Sequence, residues 1–308
     1  MNITYLILAH NNPNFLYRLI ERLECPNVDF LIHIDKKSTD NFNKLKLLPN
    51  VHFAQRQSSL EWGGISIVET LISCCNEIKE QCKGEVICLL SGSDYPVKSN
   101  DYIYNYLHQN RTKNFIIGMP LPSLECNWTR NGNLRLRGYA LRLKSRSIAS
   151  IEPRVFNLTN LKQFIKVALV SPKKLFEAIN IWIKYPIRKH PPHIKPYGGE
   201  FWWILPYSTI IKICQYIEKH PGFIAYHRET LIPDEIVFNT LVYNLCDKSE
   251  IKNTCLRYIN WQKGKLSSPT DINKEDIEII KYCIKQPNIL FARKINESSS
   301  RLIDKLLK

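Results

Sequence analysis

The chain opens on an almost unbroken apolar run, Ile3-Thr4-Tyr5-Leu6-Ile7-Leu8-Ala9, that stops at the polar His10-Asn11-Asn12. A run of this length before turn residues predicts a buried strand. Asn12-Pro13 then reads as a helix start, with asparagine as N-cap and proline in the first turn. Phe15, Leu16, Leu19, Ile20 and Leu23 follow at helical spacing. Apolar runs at 30–34, 51–53 and 86–90 predict three further strands, and 65–81 and 102–107 predict helices. Strands that alternate with helices imply an α/β fold, a Rossmann-like, mostly parallel sheet flanked by helices.

Beyond residue 120 the pattern is less regular. The segment 127–147 carries Arg130, Arg135, Arg137, Arg142, Lys144 and Arg146. Ser171-Pro172 predicts a helix start, as do the patterns over 208–219, 233–245 and 276–284. The stretch 187–199, rich in proline, histidine and basic residues, predicts a loop over the site. No internal repeat or low-complexity tract interrupts the chain.

Open parallel sheets bind ligands beyond the carboxyl ends of their strands. The segments at those ends are Ala9-His10-Asn11-Asn12, His33-Ile34-Asp35-Lys36-Lys37 and Ser91-Gly92-Ser93-Asp94-Tyr95-Pro96. All three are polar, which marks this edge as the place to look for chemistry.

Composition narrows the reading. With 308 residues, 44% hydrophobic and 23% charged, the chain can bury a core as one large domain or two closely packed ones. A net charge of +15 attracts anions, whether nucleic acid, lipid or phosphorylated substrate, without choosing among them. None of the ten cysteines forms a C-x-x-C pair and several sit in apolar runs, so free buried thiols in a reducing compartment are expected. There is no basic leader and no apolar run of about 18 residues. The expectation is a cytoplasmic protein, docked at most peripherally on the inner membrane face.

Several catalytic signatures are missing: G-x-G-x-x-G, the Walker loop, G-x-S-x-G and D-x-D. The prolines of His190-Pro191-Pro192-His193 forbid a regular helix and argue against a metal site there. What remains is a set of weaker motifs, each open to a plain structural reading. Asp94 can bind sugar hydroxyls or cap a turn. Glu61-Trp62-Gly63-Gly64 can offer amides to phosphate or make a tight turn. Gly198-Gly199-Glu200-Phe201-Trp202-Trp203 sets aromatics beside a carboxylate, as a sugar site would, or enters the core as a strand. Asp234 and Glu235 follow Pro233 at a helix start; they can serve the helix dipole or supply a general base. Arg293-Lys294 can neutralise a departing diphosphate or belong to a solvated tail.

In order along the chain these motifs, together with Leu256-Arg257-Tyr258-Ile259-Asn260-Trp261, resemble the core-2/I-branching glycosyltransferase family, which also contains the peptide O-xylosyltransferases. The resemblance implies a GT-A-type fold over a single domain, 1–308, with a nucleotide-sugar half (1–120) and an acceptor and catalytic half (121–308). It implies inverting, metal-independent transfer of N-acetylglucosamine or xylose from a UDP-sugar to a hydroxyl of a glycan or lipid-linked glycan, in surface polysaccharide synthesis. Glu235 matches the catalytic base. Ala9, His10, Asp35, Trp62, Gly63, Ser93 and Asp94 fall on the donor side, with Lys294 at the diphosphate and Arg257 or Arg293 as its partner. Glu200, Trp202, Asp234 and Trp261 fall on the acceptor side. The animal enzymes carry an anchor, a stem and disulfides; this chain resembles the short bacterial members. The segment 127–195 matches no motif and is expected to shape the acceptor pocket. Arg130 to Arg146 are expected to steer an acidic or lipid-linked acceptor at the membrane. No nucleic-acid partner and no obligatory metal are expected; the rival reading is a non-catalytic binder of nucleic acid or acidic glycan.

Overall fold

β1 (Ile3–Ala9) is buried along its whole length in the computed structural model, which describes residues 1–81, 84–261 and 269–307. Its side chains alternate between two cores: Ile3, Tyr5, Ile7 and Ala9 enter one, Leu6 and Leu8 the other. Alternation with both faces buried is why the strand reads as a continuous apolar run. α1 (Pro13–Leu23) begins as expected. The Asn12 side chain accepts from Phe15 N at 3.1 Å, and the helix buries Phe15, Leu16, Leu19, Ile20 and Leu23.

β2 (Val28–Ile34) and β3 (Val51–Phe53) extend the sheet on one side of β1 in parallel. α2 (Ile65–Gln81) leads to β4 (Val86–Ser91), which pairs in parallel on the other side. β5 (Asp94–Pro96), α3 (Asn100–Gln109) and β6 (Asn114–Pro120) follow. The segment expected to be irregular is structured: α4 (Asn133–Arg137), the antiparallel hairpin of β7 (Tyr139–Lys144) and β8 (Ser147–Ile151), then α5 (Leu158–Val170) and α6 (Leu175–Lys184). Tyr139, Leu141, Leu143, Ala149 and Ile151 pack on Val167, Ala178 and Ile181 as a separate small core.

β9 (Tyr197–Pro206) inserts antiparallel between β4 and β6, so the second half of the chain completes the sheet begun by the first. It takes the last residues of the expected 187–199 loop. Gly199 is required there because a Cβ would stand 1.9 Å from Ile117 O of the neighbouring strand. α7 (Tyr207–Lys219), α8 (Pro221–His227) and α9 (Val237–Leu245) cover one face, and the short β10 (Ile251–Lys252) ends the order β10-β6-β9-β4-β1-β2-β3. β11 (Arg257–Ile259) and β12 (Phe291–Arg293) form a small second sheet with β5; α10 (Ile277–Lys285) lies between them in sequence and α11 (Glu297–Leu306) follows.

Nine of the ten cysteines are free thiols, eight of them buried; Cys82 lies outside the described residues. Among the described residues no helix is long and apolar enough to cross a membrane.

Candidate active site

The parallel strands bring their carboxyl ends together as the pattern predicts. Asp35 N donates to Ala9 O at 2.8 Å, and Gly92 N to Leu8 O at 3.0 Å. Asp35 is nearly buried, and its Oδ1 accepts from Lys37 N at 2.9 Å, which fixes the carboxylate at the end of β2. His33, behind it, is fully buried and accepts from Ser58 N through Nε2 at 3.0 Å.

His10 marks a basic pocket. Its pKa lies below the ordinary histidine value, chiefly because its surroundings desolvate the charged ring. Asp35 opposes this, while Arg293, Lys294 and Arg146 add to it. The imidazole is therefore neutral at neutral pH. Lys294 is also lowered, first by desolvation and then by Arg293 and Arg146, against Asp271. Three cations within electrostatic reach of one another at strand ends form a place for an anion.

Arg146, exposed on the turn of the β7–β8 hairpin, adds its charge to the field of this pocket; the hairpin is tied to the Trp62 turn. Arg142 Nη2 donates to Trp62 O at 3.0 Å, and its Nε lies 3.2 Å from Glu61 Oε2. Gly63 takes φ +67, and a Cβ there would meet Ile148 of the hairpin at 3.0 Å. Gly63 O accepts from Ile232 N at 3.2 Å, which links this turn to the segment that carries Glu235.

Asp94 is fully buried and faces inward. Its Oδ2 accepts from Ser91 N at 2.6 Å and Ser91 Oγ at 2.5 Å; Oδ1 is 2.5 Å from Arg257 Nε, and Arg293 Nη1 is 3.3 Å from Oδ2. Arg293 also donates to Ser91 Oγ and, at 3.1 Å, to Ser93 Oγ. Both guanidinium carbons lie 4.5 Å from the centroid of the Trp202 ring. Trp202 is thus a platform for two arginines, while Trp203 is wholly buried against Phe238, as the core reading has it. Asp94 holds the arginines; its carboxylate is not turned to an open sugar pocket. Arg257 and Arg293, the two alternatives for the partner of Lys294, belong to one cluster.

Glu235 sits on a short 3-10 turn, Pro233–Glu235, rather than on the continuous helix expected over 233–245; α9 starts only at Val237. Ile232 has φ +53, a strained value for a β-branched residue, and the bond to Gly63 helps hold it. Glu235 is partly exposed, and its Oε2 accepts from Arg135 Nη1 at 2.6 Å. The Arg135 guanidinium lies 3.4 Å from the centroid of the Trp128 ring. Next to it Asp234 is buried and raised to about 7, because burial disfavours its charge and Glu235 adds repulsion. Glu200 connects the two sides: Cys255 Sγ donates to its Oε2 at 3.3 Å, and its pKa is raised by burial with Arg257 opposing and Glu235 adding.

Trp261 is 54% exposed, beside the undescribed residues 262–268. The arginine stretch is not a free basic surface. Arg130 and Arg137 pair with the buried Glu152, Arg135 with Glu235 and Arg142 with Glu61, so charge steering by the stretch as a whole is not what its geometry provides. His190 packs on Tyr226 and His227, whereas His193 packs on His220. Arg135 and Arg146 have a place in the site that no motif announced.

Comparison with known proteins adds a family. Residues 3–160 match the family model described as Core-2/I-Branching enzyme. The chain is similar to Xylosyltransferase oxt of Drosophila pseudoobscura pseudoobscura, 32% identical over 108 residues, covering 33% of this chain and 12% of that protein. It is similar to the N-acetyllactosaminide beta-1,6-N-acetylglucosaminyl-transferase of Homo sapiens, 26% identical over 126 residues, 39% of this chain and 31% of that one. With its Mus musculus counterpart it shares 24% identity over 163 residues, 51% of this chain and 41% of that one. The matches thus span less than half of each relative. Glu235, Arg257 and Lys294 lie beyond the residues that the family model matches.

Proposed function

This chain belongs to the core-2/I-branching enzyme family, and we propose that it transfers a sugar from a UDP-sugar to a hydroxyl of a glycan acceptor, with inversion and without an obligatory metal ion. The observation that carries this reading is that Arg293, tied to Ser91 and Ser93 at the end of β4, and its neighbour Lys294 share one field at His10 with Arg146. A diphosphate leaving group needs its growing negative charge stabilised, and the cations around His10 supply that. Relatives named for xylose and N-acetylglucosamine transfer make UDP-xylose and UDP-N-acetylglucosamine the donors to try first.

In the proposed reaction the uridine lies along Ala9, the neutral His10 and Asp35. The acceptor binds beside Glu200 and Trp261. Glu235, oriented by Arg135, takes the acceptor hydroxyl proton. The oxygen forms its bond to the anomeric carbon from the face opposite UDP, and the bond to the diphosphate oxygen breaks with its electron pair leaving on UDP. Asp94 acts behind this, holding Arg293 and Arg257 in place. The product is a β-linked branch or extension of a surface glycan.

Calorimetry of UDP binding in EDTA tests the donor half of this reading. Wild type binds UDP, and Lys294→Ala with Arg146→Ala weakens binding at least tenfold. UDP binding that requires a divalent ion, or that the double variant leaves unchanged, contradicts it.

A further inference from the structure

The outer face of the α5–α6 unit is apolar and uncovered. Phe156 is 90% exposed, Leu169 79% and Phe176 72%. In α5, Leu158, Leu161, Ile165 and Leu169 recur at helical spacing, and in α6 so do Phe176, Ile179 and Ile183; all seven are exposed. The opposite sides of the same helices, through Val167, Ala178 and Ile181, already pack on the β7–β8 hairpin. Between the helices a cleft of about 320 Å³ is lined by Phe156, Leu161, Phe164, Ile179 and Trp182. A soluble surface rarely leaves so much contiguous apolar area open without a partner.

Charge identifies the partner. Residues 154–189 hold eight lysines and arginines against one acid, Glu177. Lys166 donates to Ile148 O at 2.8 Å, Arg188 is buried among backbone carbonyls, and Lys174 lies 3.5 Å from Glu177. Arg154, Lys162, Lys173, Lys184 and Lys189 are exposed. Lys162 and Lys184 each stand about 100° of helix rotation on from a stripe residue, Leu161 and Ile183, and so border the apolar face.

We propose that the α5–α6 unit seats this chain on an anionic bilayer, with the apolar stripe at headgroup depth and the flanking lysines on lipid phosphates. An apolar face bordered by lysines is what an interfacial helix presents, and neither helix is long enough to span. A second copy docked face to face would set lysines against lysines. The β7–β8 hairpin packs on the inner side of this unit and is tied to the Trp62 turn, so the docked helices carry the hairpin whose turn holds Arg146.

Co-sedimentation of the full chain with vesicles tests this apart from any transfer activity. Wild type pellets with phosphatidylcholine vesicles containing about 30% phosphatidylglycerol, and roughly tenfold less with phosphatidylcholine alone. Leu169→Asn with Phe176→Asn, both at exposed positions, weakens binding by roughly 100-fold with an unchanged melting temperature. Lys162→Glu with Lys184→Glu removes the preference for anionic lipid. The proposal falls if wild type ignores anionic vesicles, or if the Leu169/Phe176 variant binds them as wild type does. It also falls if wild type is a dimer that this variant splits and that does not bind vesicles, because the face then belongs to a second copy.

Discussion

Arg135 Nη1 stands 2.6 Å from Glu235 Oε2, a contact between residues 100 positions apart that aims the candidate base and lies against the Trp128 ring. Removing the carboxylate and removing its holder should therefore have different effects. Glu235→Gln should lower kcat by roughly 10²–10⁴-fold with UDP binding unchanged. Arg135→Met should lower kcat less, by roughly tenfold, and shift the pH dependence of kcat. Steady-state kinetics across pH separates them; equal losses with identical profiles would deny Arg135 a positioning role.

Asp94 is expected to act through the arginines. Asp94→Ala leaves Arg257 buried without its carboxylate, which costs about 3–5 kcal/mol. Thermal melting should show a large drop. A variant that melts like wild type yet loses activity would instead make Asp94 a direct contact to substrate.

Asp234 predicts a stability trend with pH. Its folded pKa, about 7, is raised above the ordinary 3.8 by burial and by Glu235. The folded state therefore holds a proton that the unfolded chain has lost. That stabilisation is fully present below about 3.8 and is lost as pH rises through about 7. Asp234→Asn should gain stability relative to wild type between pH 5 and 8. A difference in melting temperature that stays constant over this range would contradict it.

The strands and the site's edge were legible in the sequence because β1, β2 and β4 are buried on both faces and end in polar segments. The acceptor side was less so. The hairpin at Tyr139, Leu141 and Leu143 has a period of two, but Arg142 and Lys144, interleaved with it, read as a charged stretch rather than as a strand. Arg135 pairs with Glu235, and the charge of Arg146 acts on His10, only once the chain has folded, which local periodicity does not encode. Trp202 had the right company for a sugar platform. Which side its ring would present was decided by Arg257 and Arg293 arriving from the C-terminal strands.

The His10 pocket should respond to salt as a phosphate site does. Arg146→Ala alone should weaken UDP binding several-fold and flatten its dependence on ionic strength, since one of three cations is gone. Calorimetry at two salt concentrations checks this; an unchanged slope would place Arg146 outside the pocket.

The most direct test of the central claim is turnover of UDP-N-acetylglucosamine and UDP-xylose in EDTA, by wild type and by Glu235→Gln, read as UDP release. The account predicts chelator-resistant turnover of one of the two donors by wild type, and its loss by at least about 100-fold in the variant, with UDP affinity retained. Turnover abolished by EDTA and restored by a divalent ion, or an undiminished rate in the variant, would contradict it.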